Sequence, residues 1–234
     1  MKWFYDLKIG SKLRVSFGAV AVLTLVLGVT NILSMGRVNQ ASHDLTDNWM
    51  PSVQAVMTMR IDVGDLRRWQ LAHLLNDDPA KMATYEQRID ATLAAMTADR
   101  ATYVKLISSP EEQALYDSFS KNWDAFLVEH RKLLALSRSE KKSEARELAA
   151  GGSAQAMTVM SEQLGQLVQL NVGGGRQASA DAAATYLKAR WTSIVLLVVN
   201  VVVGMLLAMW LARIVSVPLQ RAVGGGGGPA PGGV

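Results

Sequence analysis

Residues 15–36 read VSFGAVAVLTLVLGVTNILSMG and carry no charge; Arg14 and Arg37 close the run on either side. Residues 191–212, WTSIVLLVVNVVVGMLLAMWLA, repeat the pattern between Arg190 and Arg213. Each run has 22 residues, enough for a helix to cross a hydrocarbon core of about 30 Å. The reading is two transmembrane helices bracketing an aqueous domain at residues 37–190. A cleaved leader is the alternative for the first run, which has a basic start in Lys2, Lys8, Lys12 and Arg14. The run exceeds the apolar core of ordinary leaders, and the residues around Gln40 and Ala41 make a poor cleavage site, so a retained anchor is expected.

Charge orients the two spans. Lys2, Lys8, Lys12 and Arg14 oppose only Asp6 before the first, and Arg213 and Arg221 follow the second. The positive-inside bias places residues 1–14 and the region after 212 in the cytoplasm, and residues 37–190 in the periplasm of a bacterial inner membrane. That middle segment holds 18 Lys/Arg against 19 Asp/Glu. It is close to neutral, so a nucleic-acid partner has no electrostatic support. The chain has no cysteine, which excludes disulfides and thiolate metal sites.

Residues 37–190 show no convincing strand and are rich in strong helix formers. Leu45, Trp49, Val56, Met59, Val63 and Leu66 recur at helical steps, the stripe of a bundle helix running from Val38 to about Asn76. Pro51 should kink it or mark an irregularity. Asn76-Asp77-Asp78-Pro79 stops and restarts the chain. A second helix over about 79–107 carries Met82, Tyr85, Ile89, Leu93, Met96, Tyr103 and Ile107. Ser108-Ser109-Pro110-Glu111-Glu112 caps a third, expected over about 110–150 with Leu115, Phe119, Phe126, Leu133 and Leu136 inward. Gly151-Gly152-Ser153 breaks it and caps a fourth, which bears Met157, Met160, Leu164, Leu167 and Leu170 and runs into the second span. The fold class is all-α: an up-down-up-down four-helix bundle continuous with two transmembrane helices. Residues 224–234, Gly- and Pro-rich, are too low in complexity to form a packed domain.

Several segments resemble the N-terminal part of methyl-accepting chemotaxis proteins, cut at the entry to the HAMP linker. The opening Met1-Lys-Trp-Phe-Tyr-Asp-Leu-Lys-Ile-Gly-Ser-Lys-Leu13 is similar to many of their starts. Asp65-Leu-Arg-Arg-Trp-Gln-Leu-Ala-His-Leu-Leu75 resembles the first-helix signature of their four-helix-bundle ligand-binding domain. Trp123 and Phe126, then Ala145 and Leu148, resemble its third-helix pattern. Arg213-Ile-Val-Ser-Val-Pro-Leu219 resembles the HAMP entry at residues 213–223, where Pro218 would start a cytoplasmic helix. The resemblance covers residues 1 to about 223. It implies a homodimeric receptor that binds ligand toward the membrane-distal part of the bundle. Displacement of the fourth helix would pass through the second span to HAMP, and thence to a chemotaxis kinase complex through a cytoplasmic region absent from this sequence.

No catalytic constellation, metal site or cofactor is expected. His43, His73 and His130 form no ligand pair at helical spacing, and no phosphate-binding loop follows a strand. The histidines read as ordinary surface or bundle residues. Arginine on helix edges is the better signal. Arg60 and Arg67 are seven residues apart on the first helix, as are Arg131 and Arg138 on the third. Their guanidinium forks suit a carboxylate, so a small organic acid or amino acid is the expected ligand. The competing reading pairs each with a neighbouring acid, Asp62 and Asp65 being at hand. Thr102 is a further candidate, at a level several residues away from Arg60. Gly173-Gly174-Gly175 in the fourth helix reads either as a close-packing point or as a soft spot weakening the coupling of bundle to membrane; together with Pro218 it makes the candidate coupling set. The expected activity is binding and conformational coupling, not catalysis. The alternatives are the sensor half of a histidine kinase or cyclic-dinucleotide enzyme, and a ligand-free membrane-tethered scaffold.

Overall fold

The computed structural model describes the backbone of residues 9–224 and the side chains of residues 10–213. The expectations for residues 1–8 and for the Gly/Pro-rich tail from 225 onward lie outside the described residues. Among those described, all regular structure is helical: α1 (Ile9–Asp44), a π-helical turn (Leu45–Trp49), α2 (Met50–Leu75), α3 (Pro79–Tyr103), α4 (Pro110–Arg138), the short α5 (Lys142–Leu148), a second π-helical turn (Ala149–Ser153) and α6 (Ala154–Gly224).

The irregularity expected at Pro51 precedes it. Proline offers no N–H to the carbonyl four residues back. The chain widens just before it, and the Met50 N–H bonds back to Leu45 O, five residues away, the signature of a π bulge. Pro51 then occupies the first turn of α2, where its missing donor matters least.

The third helix is shorter than expected. It ends at Arg138 rather than Ala150, and Glu140 takes a left-handed φ of 60°. The Lys141 N–H bonds to Leu136 O at 3.0 Å, the six-to-one bond of a Schellman stop. The stop uses glutamate where glycine is usual, so nothing in the composition announced it. The second helix likewise ends at Tyr103, not Ile107, in a turn closed by Leu106 N–H to Tyr103 O at 2.8 Å. The glycine break falls where expected, with Gly151 at non-helical φ −88°, ψ −114°. Ser153 does not cap α6; its hydroxyl is buried against Gln70 Oε1 at 3.5 Å.

Residues 41–181 form one compact unit, in which α2, α3, α4 and the first part of α6 make the bundle. Val56, Met59, Val63 and Leu66 of α2, Ile89 and Met96 of α3, Phe119, Trp123 and Phe126 of α4, and Met160, Leu164 and Leu167 of α6 are buried together. Each contributes roughly 1.5–3 kcal/mol of burial. Along α4 the rings of Tyr116, Phe119, Trp123, Phe126 and His130 follow one another at centroid distances of 5.7–6.5 Å. A smaller cluster of Leu74, Leu133, Ala145 and Ala149 closes the end where α5 lies.

Among the described residues, 9–40 and 182–224 belong to the other unit. Its helices are long and apolar enough to cross a membrane. Leu25, Ile32, Trp191 and Met205 are each more than 60% exposed, an arrangement suited to lipid rather than water. Within this unit Asn200 Nδ2 donates to Thr24 Oγ1 at 2.9 Å, and Ser193 bonds to Asn31. Such polar contacts hold helices together where lipid removes the hydrophobic drive between them.

Candidate functional site

The α2–α6 face of the bundle carries an open groove of about 530 Å³, lined by Arg60, Gly64, Arg67, Met157, Glu162 and Gly165 among others. Gly64 and Gly165 leave it open: neither puts a side chain into it, and a Cβ at either would meet nothing within 4 Å. Arg60, Glu162 and Gly165 also line an adjoining recess that reaches Glu111 and Gln169. Arg60 is exposed. Arg67 is half-buried and already engaged, donating Nη1 to Gln70 Oε1 at 3.2 Å and Nη2 to Ala149 O at 2.9 Å. Burial lowers its pKa from the usual arginine value. It ties α2 to the π turn before α6.

The four candidate arginines do not converge. Arg131 is exposed on α4, where its charge disfavours protonation of the neighbouring His130. Arg138 lies at the α5 end, its Nε donating to Glu86 Oε1 at 2.7 Å, and it lines a separate recess of about 670 Å³ with Met82, Ser137 and Lys142. Thr102 is exposed and donates to Ala98 O of its own helix at 3.0 Å.

The glycine triplet is not an empty weak point. α6 runs through it unbroken. A Cβ on Gly174 would collide with the six-membered ring of Trp49, and one on Gly175 would touch Trp49 Cβ at 3.4 Å; only Gly173 faces open space. Gly174 and Gly175 therefore sit at a close packing point against Trp49. Pro218 opens no new helix, since α6 continues through it to Gly224.

Three buried polar clusters escaped the sequence reading. At the α5 end, His73 is fully buried. Its Nε2 lies 2.9 Å from Glu86 Oε1 and its Nδ1 3.0 Å from Ser137 Oγ. Arg138 holds Glu86 below the usual carboxylate range, so Glu86 can only accept. His73 is then the Nε2–H tautomer and accepts from Ser137 at Nδ1. Burial lowers the His73 pKa, which keeps the ring neutral. Lys142 Nζ donates to Ser137 Oγ at 3.2 Å and to Asn76 O at 2.7 Å, pinning α5 to the end of α2.

One turn along α2, Gln70 Nε2 donates to His130 Nδ1 at 3.2 Å. His130 Nε2 is buried without a partner, and burial pushes the ring pKa down to about 4. At the opposite end of the bundle, Glu112 is fully buried. It accepts from Tyr103 Oη at 2.7 Å, Asn171 Nδ2 at 2.9 Å and the Ser108 N–H at 2.9 Å. Desolvation and this carboxylate raise the Tyr103 pKa, so the phenol stays protonated.

Gln70, His73, Glu112, His130 and Asn171 all fall on the inward stripes of their helices, in step with Leu66, Phe119, Leu133 and Leu167. A polar residue interrupting an apolar stripe was the signal available. Among the described residues there is no group of three acidic, histidine or cysteine side chains placed to hold a metal.

The family model described as "Four helix bundle sensory module for signal transduction" matches residues 6–186. The chain belongs to this family. The resemblance to chemotaxis-type sensory transducers and the all-α bundle with two membrane-type helices are thereby borne out. The chain is also similar to the "Putative sensory transducer protein YvaQ" of Bacillus subtilis (strain 168), at 21% identity over 215 residues. That match takes in 92% of the chain and 38% of the relative, so this sensory module spans well under half of that relative's length.

Proposed function

We propose that the module is the ligand-sensing half of a transmembrane chemoreceptor, with both termini cytoplasmic, residues 37–190 periplasmic and two copies associating. The Arg60–Arg67 groove between α2 and α6 carries this reading. A small organic acid or amino acid seats its carboxylate on the exposed Arg60 fork, beside Arg67 and opposite Glu162. Arg67 acts as a rigid wall, because its guanidinium is already tied to Gln70 and Ala149. Arg131, Arg138 and Thr102 lie outside this groove and drop from the proposed contacts.

The groove joins α2 to α6, and α6 continues into the second apolar run. A ligand that prefers one spacing of these helices shifts the population toward it. The signal then passes along α6 to the HAMP entry at residues 213–223 and to a kinase-control region beyond this sequence. Association of two copies draws support from α2, which exposes Met50, Met57 and Ile61 at 66%, 42% and 58%. With Gly64 these fall at heptad-like steps.

The test is a thermal-shift screen of the detergent-solubilised chain against organic acids and amino acids. A ligand that binds only the folded state raises Tm by mass action. A shift abolished by Arg60→Ala and retained by Arg131→Ala supports the groove. A shift that survives Arg60→Ala places the ligand elsewhere, and a flat panel removes the small-molecule reading.

A further inference from the structure

Asp62 projects from α2 into the bundle beside Met59, Val63 and Leu66, and is only 8% exposed. Its Oδ2 is buried with no hydrogen-bond partner. Across the helix interface it faces Asp99 of α3, whose carboxyl lies within side-chain hydrogen-bonding reach. Two carboxylates cannot hydrogen-bond to each other without a proton between them.

Among the described residues, the charged groups acting on Asp62 include no cation to take the proton's place. On α2, the nearby Asp65 is negative and has its own counterion in Arg68 at 3.0 Å. On α3, Arg100 follows Asp99 in sequence but is committed to α4, where it bonds to Ser120, donates to Tyr116 Oη at 3.3 Å and stands 4.0 Å from Asp124. From α4 and α6 the neighbouring core is apolar, with Phe119, Trp123, Leu164 and Leu167 in the same cluster. The charges acting on Asp62 are those of Asp99 and Asp65, both repulsive.

We propose that Asp62 and Asp99 form a proton-binding site that bridges α2 and α3 in mildly acidic surroundings and pushes them apart when it empties. Burial first, and the two neighbouring carboxylates after it, raise Asp62 to about 6. A carboxyl whose pKa is raised on folding stabilises the fold in its protonated form. That stability is complete below the unfolded value of 3.8 and is lost as pH rises through about 6. The α2–α3 contact is therefore tighter at the acid end of the range that a periplasm-facing domain meets, independently of any organic ligand in the α2–α6 groove.

The test compares the full detergent-solubilised chain with Asp62→Asn between pH 4 and pH 8. Asparagine mimics the protonated carboxyl and can donate to Asp99. The variant should nearly match the wild type at pH 4 and melt several degrees higher at pH 8, with half of the difference developed near pH 5, midway between 3.8 and about 6, and most of it by pH 6. Asp99→Asn should reproduce the gain. In infrared difference spectra between pH 5 and pH 8, the wild type should lose a protonated-carboxyl C=O band that both variants lack. A Tm difference independent of pH, or a wild-type spectrum without that band, overturns the proposal. If either asparagine variant fails to fold, the wild-type band alone decides.

Discussion

The six-membered ring of Trp49 rests against the backbone of Gly174, in a space that any Cβ on residue 174 would occupy. Trp49 ends the π-helical turn before α2, and Gly174 lies within α6. The two helices meet here at a closeness only glycine permits.

The glycine triplet should therefore divide under substitution. Gly173→Ala meets nothing and should stabilise by about 0.5–1 kcal/mol through helix propensity. Gly174→Ala should destabilise by about 1–3 kcal/mol through overpacking. In a Trp49→Ala background the sign at 174 should reverse, because the ring is gone and only propensity remains. Denaturant unfolding of the four chains measures the coupling directly.

Glu140 is exposed at φ 60° and terminates α4. A left-handed residue with a Cβ carries a steric penalty of roughly 1–2 kcal/mol that glycine avoids. Glu140→Gly should raise stability by about 1 kcal/mol in thermal melts, less whatever it gives back in unfolded-chain entropy. A loss would mean that the side chain contributes something at the α4–α5 corner beyond the turn.

His130 gives a pH dependence opposite in sign to that of the Asp62 pair. Its folded pKa of about 4 lies below the ordinary imidazole value of 6.5, and burial is the largest cause. A histidine depressed on folding favours the neutral ring. The stability it contributes is present above 6.5 and is lost as pH falls toward 4, on the order of 3 kcal/mol in full. His130→Phe should keep the stack on Phe126 and remove this acid sensitivity, at the expense of leaving Gln70 Nε2 unpaired. Relative to the wild type, His130→Phe should therefore lose less Tm between pH 6.5 and pH 4.

The architecture was legible because membrane spans and bundle stripes are written in periodicity and charge. The Asp78-Pro79 and Ser109-Pro110 starts and the Gly151 break stand as read, and the helices that carry the runs at 15–36 and 191–212 are long and apolar enough to cross a membrane. The Arg138 stop was not legible, since its left-handed residue is a glutamate. The arginines were found as residue types, but their grouping depends on which helices are neighbours: Arg60 and Arg67 share a groove, while Arg131 and Arg138 stay on α4 away from it. Asp62 was read as a partner for arginine. Its true neighbour, Asp99, is 37 positions away and becomes adjacent only through the α2–α3 hairpin.

Apolar stripes alone would allow one helix to slide past another by a heptad with little change in contact. Here Gln70 must find His130 and His73 must find Ser137, while Glu112 must find Asn171 and Asn122 must find Gln163. A slip of α4 by one turn, about 5.4 Å, parts all four pairs at once, and each group left buried without a partner costs about 1–3 kcal/mol. The bundle is indexed like the teeth of a key. Any movement it passes on without unlocking must be a fraction of a helical turn.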